Sequence, residues 1–181
     1  MTLDPNAREP DHALSSSSLP ADREAWRQIE QQLKVPRESM AIVIVDHGSR
    51  VDTSNELLLE FVAMFARYAP VPIVEGAHME LAEPSIRTAI ERCVARGARA
   101  VFVSPFFLLP GKHWQRDLPR LIAEATEPYP NLPWMLAAPL GLHPLLPEVL
   151  LQRIEQCALH SRGLRADCDM CHREGGQCGF A

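Results

Sequence analysis

Four short, continuous apolar runs, each followed by a stretch of helical periodicity, constrain this chain more than any other feature. The runs span residues 41–45, 72–77, 99–104 and 133–138. Unbroken β-rich runs of this length are what strands buried on both faces look like. Helical spacing follows each one: Leu57, Leu58, Phe61, Val62 and Phe65 after the first; Ile86, Ala89, Ile90, Cys93 and Val94 after the second. Residues 114–125 place Leu118, Leu121 and Ile122 on one face, and residues 144–159 do the same with Leu145, Val149, Leu150 and Ile154. All of these are expected to point inward. Regular strand–helix alternation implies an α/β fold, a four-stranded mostly parallel sheet flanked by helices on both faces.

Local signals mark the boundaries. Thr53 and Glu56 have the spacing of a capping box. Pro84 is expected in the first turn of the second helix, where its missing N–H costs nothing, and Gly97 is expected to end that helix. Ahead of the regular domain, residues 21–34 read as a polar helix packed on the domain surface through Trp26, Ile29 and Leu33. Residues 1–20, with three prolines and the serine run 15–18, read as disordered. The expected organisation is an extension over 1–39, a regular domain over 40–162 and a Cys- and Gly-rich tail over 163–181.

Composition narrows the partners. The formal net charge of -5 argues against a nucleic-acid partner, which needs a basic face. No apolar run is long enough to span a bilayer, and the first residues lack the basic start and apolar stretch of a signal peptide. No membrane association and a cytoplasmic location are therefore expected. Five cysteines, an odd number in such a chain, suggest thiols or metal ligands before disulfides.

In parallel sheets of this kind, ligands sit beyond the carboxyl ends of the strands. Three loops there carry unusual residues. His47 follows the first strand, Glu80 and Glu83 follow the second, and His113 follows the third. Two imidazoles and a carboxylate suit a first-row divalent metal, and imidazole is also the usual proton acceptor near neutral pH. Gly48 lets backbone approach a ligand closely. Ser49, Arg50, Lys112, Arg116 and Arg120 add a hydroxyl and a cationic rim suited to carboxylates. Phe106, Phe107, Leu108 and Leu109 offer an apolar surface for a flat ligand. His78 is a candidate extra ligand, although packing at the strand end explains it better. His12, His143 and His160 have no supporting pattern.

Three segments together resemble the short sirohydrochlorin chelatases of the CbiX/SirB type. They are Asp46-His47-Gly48-Ser49-Arg50, Met79-Glu80-Leu81-Ala82-Glu83-Pro84-Ser85-Ile86, and Ser104-Pro105-Phe106-Phe107-Leu108-Leu109-Pro110-Gly111-Lys112-His113. The resemblance runs over about residues 41–162. It implies a class II chelatase fold, half of a two-lobed ferrochelatase. It also implies a lyase that inserts Fe2+ or Co2+, with nickel also known in the family, into a tetrapyrrole on the way to siroheme or cobalamin. His47 and His113 would then be the metal-binding and catalytic histidines, Glu80 the acidic residue facing the metal, and a homodimer the working unit. An alternative is a non-catalytic metal carrier of the same fold. A flavodoxin-like phosphate-binding domain is disfavoured because no Gly-rich phosphate loop follows the first strand.

The tail carries Cys168, Cys171 and Cys178, with Cys157 or His172 as a fourth ligand candidate. Thiolates at this spacing suit zinc or an iron–sulfur cluster. The tail is similar to the Cys-rich segment of longer sirohydrochlorin chelatases, which is associated with such a cluster. Cys93, on an apolar helical stripe, is expected in the core.

Overall fold

The structure, a computed structural model, describes residues 23–165 and Met170. Four parallel strands form one sheet: β1 (Met40–Asp46), β2 (Ile73–His78), β3 (Ala100–Pro105) and β4 (Trp134–Leu136), in the spatial order β2-β1-β3-β4. β1 lies between β2 and β3, with Asp46 opposite His78 and Val45 opposite Pro105. The strand residues alternate strictly between two cores. Ala41, Val43 and Val45 meet α3 (Ile86–Ala95) and α4 (Leu118–Thr126), together with Ile90, Cys93, Leu118 and Ile122. Met40, Ile42 and Ile44 meet Leu58 and Val62 of α2 (Asp52–Ala66) on the opposite face. Ile90, Leu118 and Ile122 are wholly enclosed, each contributing about 1.5–3 kcal/mol by burial.

The N-terminal helix α1 (Arg23–Leu33) joins the second core. Trp26, Ile29 and Leu33 pack against it, and the Trp26 indole meets the Phe102 ring edge-on with centroids 5.5 Å apart. Packing through these three residues agrees with their spacing. Residues 1–20, expected to be disordered, lie outside the described residues.

Four local expectations are corrected. The Thr53/Glu56 capping box does not form: α2 begins at Asp52, and its N-cap Val51 has no side-chain cap. Asn55 pins the entry instead, its Oδ1 accepting from the Ser49 N–H and its Nδ2 donating to the Ser49 carbonyl. Pro84 lies outside α3, because its carbonyl accepts from His78 N–H and Ser85 takes the cap position. The third helix is preceded by a π-helical turn, His113–Asp117, in which the Leu118 N–H reaches back to the His113 carbonyl. Finally, α5 (Leu145–Ser161) forms where expected, but none of its residues is buried. Leu145, Val149, Leu150 and Ile154, expected inward, face solvent. Helical spacing identifies an apolar surface and says nothing about what covers it.

Candidate metal site

Each strand end delivers one part of the site. Beyond β1, the chain turns at Gly48, whose φ of +80° suits glycine. A Cβ there would overlap the Glu80 carbonyl oxygen. The loop after β2 runs alongside and prolongs the ladder: Met79 N–H donates to the Asp46 carbonyl (2.9 Å), and Glu80 N–H donates to the His47 carbonyl (3.2 Å). Beyond β3, Phe106 N–H donates to the Val45 carbonyl (2.7 Å). His47 is thus held by backbone bonding on both flanks.

These ties bring two sequence-distant rings together. The His47 imidazole stacks on Phe107 with centroids 4.5 Å apart and planes inclined by 24°. It meets the His113 ring at 88° with centroids 4.6 Å apart. Phe107 is buried and forms a fixed platform, whereas His47 is exposed and His113 half-exposed. Both rings border a cavity of about 370 Å³, walled by Phe106, Leu108, Leu109 and Trp114. A first-row ion reaches about 2.0–2.1 Å to each imidazole nitrogen, a span compatible with this spacing.

Asp117 was not anticipated from the sequence. Its Oδ2 lies 2.9 Å from His113 Nδ1. The contact orients the imidazole and leaves Nε2 for a ligand, the usual partnership of a carboxylate behind a metal-binding histidine. Burial raises the Asp117 pKa, but the Arg116 hydrogen bond and charge, then His113, outweigh it and hold the carboxyl below its ordinary value. The signal was available: positions four apart on a helix are neighbours, and the π-helical turn retains that contact.

The carboxylates after β2 are placed differently from the histidines. Glu80 is exposed, and no group of three or more His, Cys, Asp or Glu gathers as a metal cluster among the described residues. Glu80 joins the site through its backbone, in a turn where Leu81 has φ +69° and Ala82 N–H reaches the Glu80 carbonyl. Glu83 holds the start of α3: it accepts from Ser85 N–H (2.7 Å) and from Thr88 Oγ1 (2.8 Å). Those bonds, the Ser85 backbone one first, keep its pKa below the ordinary value.

His78 is fully enclosed, with Nδ1 2.7 Å from Asp46 Oδ1. The same oxygen accepts from Gly48 N–H (2.9 Å). His78 therefore packs beneath the His47 turn and away from the cavity. Its Nε2 has no hydrogen-bond partner among the described residues.

The cationic rim is divided. Arg50 and Lys112 are exposed and enter no ion pair among the described residues. Arg116 Nε lies 3.3 Å from Asp117, and Arg120 pairs with Glu124 at 2.7 Å along α4. The Ser49 hydroxyl oxygen accepts from Val51 N–H, which ties it to the turn. Cys157 is a half-buried free thiol on α5, and Cys168, Cys171, Cys178 and His172 lie outside the described residues.

Comparison with known proteins follows the same residues. The family model described as CbiX matches residues 41–157. The chain is 51% identical over 130 residues to the chloroplastic sirohydrochlorin ferrochelatase of Arabidopsis thaliana, covering 72% of this chain and 58% of that one. It is 33% identical over 117 residues to the sirohydrochlorin cobaltochelatase of Priestia megaterium, covering 64% and 38%. Among solved structures, it resembles the sirohydrochlorin chelatase SirB from Bacillus subtilis subspecies spizizenii in complex with cobalt. The TM-score is 0.62 at 32% identity, over 65% of this chain and half of that one. The chain thus spans roughly 38–58% of the length of the curated relatives it matches here. The family model covers well over half of the chain, and the chain belongs to the CbiX family.

Proposed function

We propose that this chain inserts a divalent metal ion, iron or cobalt, into sirohydrochlorin. The observation that carries the reading is the perpendicular pair His47 and His113 beside an open apolar cavity, with His47 resting on buried Phe107. Insertion requires a group that holds the incoming ion and one that accepts the two pyrrole protons as they leave. Two adjacent imidazoles meet both requirements. Asp117 orients His113 for this work. Phe106, Leu108 and Leu109 offer the macrocycle an apolar face, and Arg50, Lys112 and Arg116 take its carboxylates. Ser49 and Arg120 border the rim, and Glu80 balances charge at its mouth.

Support for the substrate comes from the names of the relatives, one a ferrochelatase and one a cobaltochelatase. A cavity of about 370 Å³ is small for a whole tetrapyrrole, which favours a homodimer in which a second copy completes the cleft. No helix among the described residues is long and apolar enough to cross a membrane. The tail thiolates Cys168, Cys171 and Cys178, with Cys157 as the fourth, suit a zinc ion or an iron–sulfur cluster. An absorption spectrum and metal analysis of anaerobically purified protein test that assignment.

The deciding experiment is an anaerobic insertion assay with iron, cobalt and nickel side by side, followed by the absorbance of sirohydrochlorin. Conversion of the free-macrocycle spectrum to the metallated one is expected with iron or cobalt. A protein that binds the ion and leaves the macrocycle spectrum at its uncatalysed rate is a carrier, and the enzyme reading fails.

A further inference from the structure

The two histidines of the site are oriented by different means. The Asp117 carboxylate is bonded to the ring of His113. The His47 ring rests on Phe107, and its direction otherwise follows the path of its own backbone. That path is held at both ends. On the exit side, Asn55 grips the N–H and the carbonyl of Ser49, at 2.8 and 2.9 Å. On the entry side, the Asp46 carboxylate reaches past His47 to accept from the Gly48 N–H, which closes a turn around the histidine. His78 holds that carboxylate from below. Asp46 and His78 are the last paired residues of β1 and β2, and Nδ1 lies 2.7 Å from the same oxygen that accepts from Gly48. A Cβ on Gly48 would lie 3.1 Å from the His78 Cβ, so His78 sits directly beneath the turn. Its own N–H donates to the Pro84 carbonyl, which anchors the base of the stack.

We propose that His78 is a positioning residue for metal capture: through Asp46 and the Gly48 N–H it sets the direction of the His47 ring, so that both imidazoles meet one ion. His78 is enclosed beneath the turn and touches neither the ion nor the macrocycle. Packing alone does not call for an imidazole there. The side chain is wholly buried, and its Nε2 has no hydrogen-bond partner among the described residues. An apolar side chain would fill the space without burying an unsatisfied nitrogen. A polar residue kept where an apolar one packs better marks a functional demand, and the demand here is a fixed Asp46 carboxylate. Metal sites depend on such outer partners, because a ligand that must first be ordered binds more weakly than one already aimed. The inference rests on the metal site proposed above and deepens it by naming what preorganises His47.

The test is cobalt binding by the full chain without tetrapyrrole, followed by isothermal titration, with folding checked by circular dichroism. His78→Leu is expected to weaken cobalt binding about 10- to 100-fold, the range for losing an outer partner of a metal ligand. His78→Asn, whose amide nitrogen falls where Nδ1 was, is expected to restore it. In a His47→Ala background, His78→Leu is expected to weaken binding no further, because the two residues act as one unit. A role confined to general packing predicts the same loss in both backgrounds and no rescue by Asn. Wild-type affinity in His78→Leu, an equal loss in both backgrounds, or an Asn variant no better than Leu overturns the proposal. If His78→Leu does not fold, His78→Gln, whose amide overlies Nε2 instead of Nδ1, takes its place with the same expectations. If His47→Ala itself keeps wild-type affinity, the metal site and this inference fall together. If His47→Ala loses affinity while His78→Leu keeps it, this inference falls alone.

Discussion

His113 and Asp117 face each other across one π-helical turn, with Nδ1 and Oδ2 2.9 Å apart. The contact engages one nitrogen of His113 and leaves the other free, in a ring that meets His47 edge-on. Replacing Asp117 by Asn keeps the shape and removes the charge. Metal affinity or insertion rate should fall about 10- to 100-fold, the range seen when a carboxylate behind a metal-binding histidine is lost. Isothermal titration with cobalt and the insertion assay would check this.

The same carboxylate makes a pH prediction. Because the folded-state pKa of Asp117 lies below its ordinary value of 3.8, its contribution to stability is fully present at neutral pH. The contribution fades as acid takes the pH down from the ordinary value through the lowered one. The stability gap between wild type and Asp117→Asn should therefore close on acidification. Urea melts at neutral and acidic pH would show it, and a gap that widened in acid would contradict the assignment.

Neither His47 nor His113 carries the fold. His47→Ala and His113→Ala should each reduce insertion by about 10²- to 10⁴-fold, the usual contribution of a positioned acid–base group. Thermal midpoints should stay close to wild type, since His47 is exposed and His113 half-exposed.

Gly48→Ala should be far more harmful than its size suggests. The new Cβ would meet the Glu80 carbonyl, and φ +80° is strained for any L side chain. The backbone penalty alone is about 1–2 kcal/mol, and relieving the overlap must shift the His47 turn. A lower denaturation midpoint together with lost insertion is the expected result.

Beneath that turn, Asp46 links the wholly buried His78 to the Gly48 N–H. Asp46→Ala strands a buried imidazole and a backbone donor, at a cost of about 1–3 kcal/mol. Equilibrium unfolding measures it. The drop should be smaller in the His78→Leu background, where only the Gly48 N–H is left without its acceptor.

Cys93 should behave as an inert thiol. Burial, then the nearby Glu75 charge, pushes its pKa up to about 12. Alkylation at mildly alkaline pH, mapped by mass spectrometry, should leave it unmodified until the protein unfolds.

Much of this was legible in the amino-acid order. The strands, the parallel sheet and the inward faces of α2, α3 and α4 follow from side-chain periodicity, because a residue's face in a regular element is set by its position along the chain. His47 and His113 could be nominated because strand ends are where such sheets bind ligands. The structure alone decided that their rings meet, since 4.6 Å between centroids depends on the ladder that aligns the two loops. It also decided that Asn55 and not Thr53 secures the start of α2, and that His78 and Glu83 serve the scaffold. These are choices among several polar partners within reach, settled by geometry across elements. The exposure of α5 belongs to the same class: its sequence dictates a helix in need of cover, while the cover depends on a surface that periodicity along one chain does not encode.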